Sequence, residues 1–324
     1  HWVFRQYDHE VGIRTVIKPG FDASVLRLDN GKFLSVKIDG NPKHCYLNPR
    51  DGAIGCFEEA CRNVVCTGAT PIGMVDHLQF GNPEDPEIFW TFMESLEGLT
   101  DFAKFLKIPC VGGKVSFYNE TPSGPIKPTP LIGVLGIINK TPLQPTPPKS
   151  GDYLVIVGNT KNELGGSEYF EYIDDFIGGI CPTVDFKISK SNMATVLSLI
   201  KQDLVESVHD CAKGGLSIAV SEMSIFGKIG CNIDIGKLPS EKNLNFEQLL
   251  FSESHSRYLL VVSKKNIKKV RQVLLKKKNL FGVLGSFSSD QICIKHKSQN
   301  LVKVNVDTAQ RKYFNALKEI LDDG

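Results

Sequence analysis

Apolar residues recurring at alternating spacings of three and four mark the strongest helix in the chain. Phe89, Phe92, Leu96, Leu99, Ala103 and Leu106 form one continuous stripe, the period that lays a helical face on a core, and the whole row is expected to pack on a sheet. Pro86 suits a first helical turn, and Glu84, Asp85 and Glu87 complement the positive end of the helix dipole there. A second helix, about Ala53–Val65, presents Ile54, Phe57, Cys61 and Val64 or Val65 on one face and stops at Gly68. Strand-like runs at Ser24–Leu28, Phe33–Ile38, Met74–Leu78, Ile108–Ser116 and Leu131–Ile138 complete an α+β unit.

Four prolines fall within Asn139–Asp152, where they fix φ and withhold backbone donors. They place a Pro-rich linker at 141–150 between a first domain, 1–140, and a second, 151–324. The second domain alternates helices, about Glu168–Tyr172, Asn192–Asp203, Leu216–Phe226, Ile267–Lys276 and Thr308–Leu321, with strands at Tyr153–Val157, Tyr258–Ser263 and Gln291–Lys295. It reads as a mixed α/β unit.

Composition narrows the class. With 324 residues, 41% hydrophobic and 23% charged, and a mean hydropathy of -0.10, the chain has the make-up of a soluble globular protein of about two domains. The longest apolar run, Leu131–Ile138, falls far short of the ~20 residues that span a bilayer. No basic segment followed by an apolar core opens the chain, and it begins with His1 rather than Met, so upstream sequence is expected to be missing. Lys and Arg total 38 against 36 Asp and Glu, which gives no whole-molecule field for nucleic acid. One segment, Ser263–Asn279, carries eight of those bases around Ile267, Val270, Val273 and Leu274 and reads as the solvated face of a helix. Nine cysteines without a Cys-x-x-Cys pair fit neither a zinc nor a disulfide framework, and point to a reducing, cytoplasmic setting. Cys110 and Cys293 lie in apolar strand runs, where a free thiol is expected to be buried.

Three glycine turns follow strand-like runs, where backbone N–H groups can meet an anion. They are Gly112-Gly113-Lys114-Val115-Ser116, Gly165-Gly166-Ser167-Glu168 and Asp210-Cys211-Ala212-Lys213-Gly214-Gly215. Ordinary explanations stand beside each: a strand bulge, a Ser167 helix cap, a structural turn. Asp22, Asp39, Asp76 and Asp210 sit at strand ends, as carboxylates serving a nucleotide-bound Mg2+ do. His209 and Cys211 flank Asp210, yet strand alternation gives a poor Cys-His nucleophile.

Read together, several strings resemble the second half of the synthase component of the phosphoribosylformylglycinamidine synthases. They are Arg5-Gln6-Tyr7-Asp8-His9, Arg62-Asn63-Val64-Val65-Cys66-Thr67-Gly68-Ala69, Phe80-Gly81-Asn82-Pro83-Glu84, Gly112 to Glu120, Glu163 to Tyr169, and Phe251-Ser252-Glu253-Ser254-His255-Ser256-Arg257. The resemblance implies an aminoimidazole ribonucleotide synthase-like unit, α+β in class: a first domain whose sheet pairs with another such domain into a β-barrel, and a second that is an α/β sandwich. It implies ATP and Mg2+ as cofactors, formylglycinamide ribonucleotide as substrate, and ammonia drawn from glutamine. The partners implied are the amino-terminal half or a second copy, a glutamine amidotransferase subunit and a small bridging subunit, with no nucleic acid and no membrane.

Residue by residue, the resemblance places ATP contacts at Asp76, Gly113 and Lys114 and a substrate contact at Ser116. Lys114 departs from the family's asparagine, a Mg2+ ligand, because an ammonium cannot coordinate a cation. By the family's internal two-fold repeat, Asp210 matches a metal-binding acid and Glu253-Ser254-His255 a substrate loop. The family's catalytic histidine, in a His-Asn-His-Pro-Ser string, has no counterpart among the seven histidines, so no catalytic residue is assigned and the chain is expected to be half an enzyme. Two other readings remain open: a stand-alone kinase-like homodimer, and a half that only holds a structural nucleotide.

Overall fold

The computed structural model describes residues 6–322; Arg5 of the first matched string, His1 and the last two positions lie outside the described residues. The first domain runs β1 (Thr15–Ile17), β2 (Ser24–Arg27), β3 (Phe33–Asp39), α1 (Pro42–Leu47), α2 (Pro49–Cys66), β4 (Thr70–Gln79), α3 (Pro86–Leu106), β5 (Cys110–Ser116), the short pair β6 (Glu120–Thr121) and β7 (Gly124–Pro125), and β8 (Thr129–Ile138). Its sheet has the order β1-β2-β3-β8-β4-β5, antiparallel except for the β4–β5 pair. Helices α2 and α3 supply the core on one face, through Phe57, Cys61, Val64, Leu99 and Phe102.

Local chemistry accounts for the helix starts. Asp85 accepts from the Glu87 and Ile88 N–H groups ahead of Pro86, and α3 ends where Lys107 turns left-handed at φ 60°. Helix α1 was not foreseen, and α2 begins four residues before the expected Ala53. Both follow an Asn-Pro pair, in which Asn41 or Asn48 accepts a backbone N–H and the proline takes the first turn.

No helix or strand occupies 139–152. The second domain then runs β9 (Tyr153–Val157), α4 (Glu168–Asp174), α5 (Phe186–Lys201), β10 (Ser207–Asp210), α6 (Gly215–Gly227), β11 (Cys231–Asp234), α7 (Phe246–Phe251), β12 (Tyr258–Val262), α8 (Ile267–Lys276), β13 (Phe281–Phe287), β14 (Gln291–His296), β15 (Gln299–Asn305) and α9 (Val306–Asp322). Its sheet order is β10-β12-β9-β13-β11-β14-β15. Every residue of β12 is buried, because helices cover both faces: Leu260 and Val262 join a core with α5 and α8, while Leu259 and Val261 join one with α6 and α7. The first of these cores is continuous with that of the amino-terminal domain, so the two units pack as one body.

Two burial expectations are corrected. The α3 stripe is not wholly internal, since Phe89, in the first turn of the helix, is 47% exposed. Cys110 is exposed and Cys293 half-buried, whereas the other seven cysteines are buried. The reason for Cys110 is that β5 forms the sheet edge, which strand-like sequence alone does not reveal. Among the described residues no helix is long and apolar enough to cross a membrane.

Candidate functional site

Two predicted site residues meet at the sheet edge. Asp76 on β4 pairs with Gly113 on β5, and a Cβ on Gly113 would collide with the Asp76 carboxylate, so glycine is the side chain this register admits. Burial holds the Asp76 carboxyl above the usual range, opposed by the Cys110 thiol and the Lys114 backbone N–H, both of which donate to it. The carboxylate opens onto a pocket of about 480 Å³ between β5 and the end of α3, lined by Met74, Leu96, Leu99, Ala103, Ile108 and Lys104. An apolar slot with one acceptor at its rim suits a flat ring that carries a hydrogen-bond donor.

The structure separates the other two predicted contacts from this pair. Lys114 and Ser116 register with His77 and Gln79, so strand alternation puts them on the sheet face opposite Asp76. Ser116 is braced by Asn119, whose amide Nδ2 donates to the Ser116 carbonyl at 2.9 Å and to the Phe80 carbonyl at 2.9 Å. That face carries no helix, and Ile38, Val75 and Val111 on it are exposed. The two contact pairs therefore flank a single exposed edge strand, with Asp76 and Gly113 on the helix side and Lys114 and Ser116 on the open side.

A second cavity, of about 440 Å³, lies between the domains and is lined by Asp22, Lys37, Asp39, Glu59, Asp210 and Lys213 among others. Asp210, the acid matched to a metal ligand, is turned away from that role. Its Oδ1 accepts from Arg62 Nε at 2.6 Å, and its Oδ2 from Arg62 Nη2 at 3.3 Å and Asn63 Nδ2 at 3.0 Å. A guanidinium facing both oxygens repels a cation, so Mg2+ does not fit at Asp210, and among the described residues no group of three or more His, Cys, Asp or Glu side chains is placed to hold a metal ion. Sequence reading quoted Arg62 in a matched string but gave it no role, and it missed the buried i,i+4 partner Glu58. The available signal was an acid and a base on the apolar face of a predicted helix.

The anion nests expected at Gly166-Ser167-Glu168 and Gly214-Gly215 are filled from within. Glu253 Oε1 accepts from Gly214 N at 2.9 Å and from Glu168 N at 2.8 Å. Ser167 takes its simpler role and caps α4, accepting from Phe170 N. On the cleft wall, His209 Nδ1 lies 3.0 Å from Asp22 and Nε2 lies 3.1 Å from Glu222. Burial alone would depress this imidazole, but the Asp22 charge and the bonds to both carboxylates outweigh it and hold His209 well above its ordinary range.

Comparison with known proteins agrees with this architecture. Residues 20–138 match the model for the N-terminal domain of AIR synthase related proteins, and residues 149–292 match that for their C-terminal domain. The phosphoribosylformylglycinamidine synthase subunit PurL of Thermococcus sibiricus is 41% identical over 99% of this chain, which covers 44% of that relative. Thermotoga maritima PurL complexed with FGAR superposes with a TM-score of 0.78 at 20% identity, over 92% of this chain and 49% of that one. The same protein complexed with ATP gives 0.74 at 21% identity, over 89% and 46%. The chain thus spans about half the length of the curated relatives it matches. With both domains present and in order, it belongs to the AIR synthase related protein family.

Proposed function

We propose that this chain is the carboxy-terminal half of an ATP-dependent phosphoribosylformylglycinamidine synthase, working with an amino-terminal half that supplies the catalytic histidine. The observation that carries this reading is the Asp76–Gly113 pair beside an apolar slot on an open strand edge. An adenine ring in the slot donates an N–H of its amino group to the Asp76 carboxylate, and the polyphosphate crosses β5 to the open face. There Lys114 neutralises phosphate charge, and Ser116, steadied by Asn119, contacts formylglycinamide ribonucleotide. Mg2+ brought in with the nucleotide would neutralise phosphate charge; among the described residues this chain has no preformed cage for it. Phosphorylation of the glycinamide carbonyl oxygen, followed by displacement of phosphate by ammonia, gives the amidine and leaves the formyl group intact. The exposed apolar face of the first sheet is where the other half's matching domain closes a barrel, and glutamine amidotransferase and bridging subunits deliver the ammonia.

Formation of the amidine from formylglycinamide ribonucleotide, ATP, Mg2+ and ammonium tests this, with the chain alone and then with an amino-terminal half added. Activity only in the mixture supports a complementing half. Turnover by the chain alone removes the need for the absent histidine, while no turnover in either case favours the kinase-like homodimer acting on another small substrate or the structural-nucleotide half.

The interdomain cleft favours a second role, a structural nucleotide, because its lining combines Lys37 and Lys213 with the aromatic rings of Phe21, Phe226 and Tyr313. Retention of ADP through purification, without turnover, is its signature.

A further inference from the structure

Two segments of this chain carry uninterrupted charge of opposite sign. Between Gly81 and Ala103 lie six acids and no base, and between Ser263 and Asn279 eight bases and no acid. Arg50 pairs with Glu97 and Asp101 of the first group. Among the described residues, Glu84, Asp85, Glu87 and Glu94 form no ion pair, and neither do any of the eight bases.

Each segment also exposes apolar side chains. On α3, Phe89, Trp90 and Met93 are 47%, 54% and 39% exposed, adjoining one another at spacings of three and four. On and just after α8, Leu275 and Leu280 are 64% and 55% exposed, while Val270 and Leu274 hold the helix in its own core. An aromatic and methionine centre beside unpaired acids thus exists on one domain, and exposed leucines beside unpaired bases on the other. Apolar centres inside charged rims are the anatomy of protein interfaces, and charge of opposite sign selects and steers the partner.

We propose that these faces are partners in trans: the α3 face of one copy docks on the α8 face of a second, and the reciprocal contact closes a two-fold dimer. The basic segment contains no aromatic residue on which a base could stack, so a protein surface fits it better than a nucleic acid. This contact is independent of the nucleotide chemistry proposed above.

The chain has two tryptophans, Trp2 and Trp90, so Trp2→Phe leaves Trp90 as sole reporter. Sedimentation velocity across a concentration series, at low and high salt, is read beside Trp90 emission. The expected result is a dimer that forms with concentration, shifts Trp90 emission to the blue and weakens as salt rises. Glu87→Lys with Glu94→Lys, and separately Lys268→Glu with Lys269→Glu, each weaken association by about tenfold. All four together restore it, with unchanged thermal melting as the folding control. A chain monomeric at every soluble concentration overturns the proposal, as does association indifferent to both charge reversals. Heparin binding by a persistent monomer also overturns it and reassigns the basic face to polyanions.

Discussion

Glu253 places its carboxylate 2.9 Å from the Gly214 backbone nitrogen, at the start of α6. The same oxygen takes the Glu168 N–H at the start of α4, and His44 of the first domain lies 3.5 Å from the other oxygen. Although burial opposes ionisation, His44 and the two N–H donors hold the Glu253 carboxyl below its usual range. A resident anion therefore satisfies helix starts that glycine-rich sequence offers to phosphate, and it ties the domains together.

Glu253→Ala is expected to lower stability by about 2–4 kcal/mol in urea denaturation, since it leaves one buried and one part-buried donor without an acceptor. Glu253→Gln should cost markedly less, because the amide oxygen still accepts. Equal losses in the two variants would mean that packing, not the hydrogen bonds, accounts for the effect.

His209 should make stability depend on pH. Only the imidazolium donates to Asp22 and Glu222 together, and its folded value lies well above that of the unfolded chain. Its contribution is thus complete below about pH 6.5 and is lost as pH rises through the folded value. Thermal melting of wild type and His209→Gln should differ most near pH 6 and converge on the alkaline side; a gap constant across that range would show that the imidazolium is not the cause.

At the sheet edge, Gly113→Ala is expected to behave like Asp76→Ala in the complemented synthase. The new methyl displaces the carboxylate, so both should cut ammonia-dependent turnover by about 10²-fold with little change in melting temperature. Full activity in Gly113→Ala would show that the carboxylate position is immaterial.

Lys114 lies across β5 from Asp76, which separates phosphate from base recognition. Competition binding should show Lys114→Ala weakening ATP by about tenfold while leaving adenosine unaffected, whereas Asp76→Ala weakens both. Parallel losses for the two ligands would contradict the division of the site by the strand.

Much of this molecule was legible along the chain. The α3 periodicity with its Asp85 and Pro86 start, the proline-rich break after Ile138, and the long matched strings locate the elements, because capping, helical period and proline geometry act within a few residues. The Gly112–Glu120 string contains Gly113, Lys114 and Ser116, and the resemblance added Asp76 outside it. What sequence could not say is which of these share a face, since that depends on the register of β5 against β4. Nor could it say that Cys110 would be exposed, which follows from β5 having a neighbour on one side only.

The cleft belongs wholly to tertiary structure. Asp210 reads as a metal acid until Arg62, 148 positions away, closes on it, and Gly214-Gly215 reads as a phosphate nest until Glu253 fills it. Local sequence sets which groups are available and which backbone N–H groups are left over at helix starts. Packing of the two domains decides which partner reaches them first, because a buried charge or donor left unpaired costs more than most other local preferences can offset.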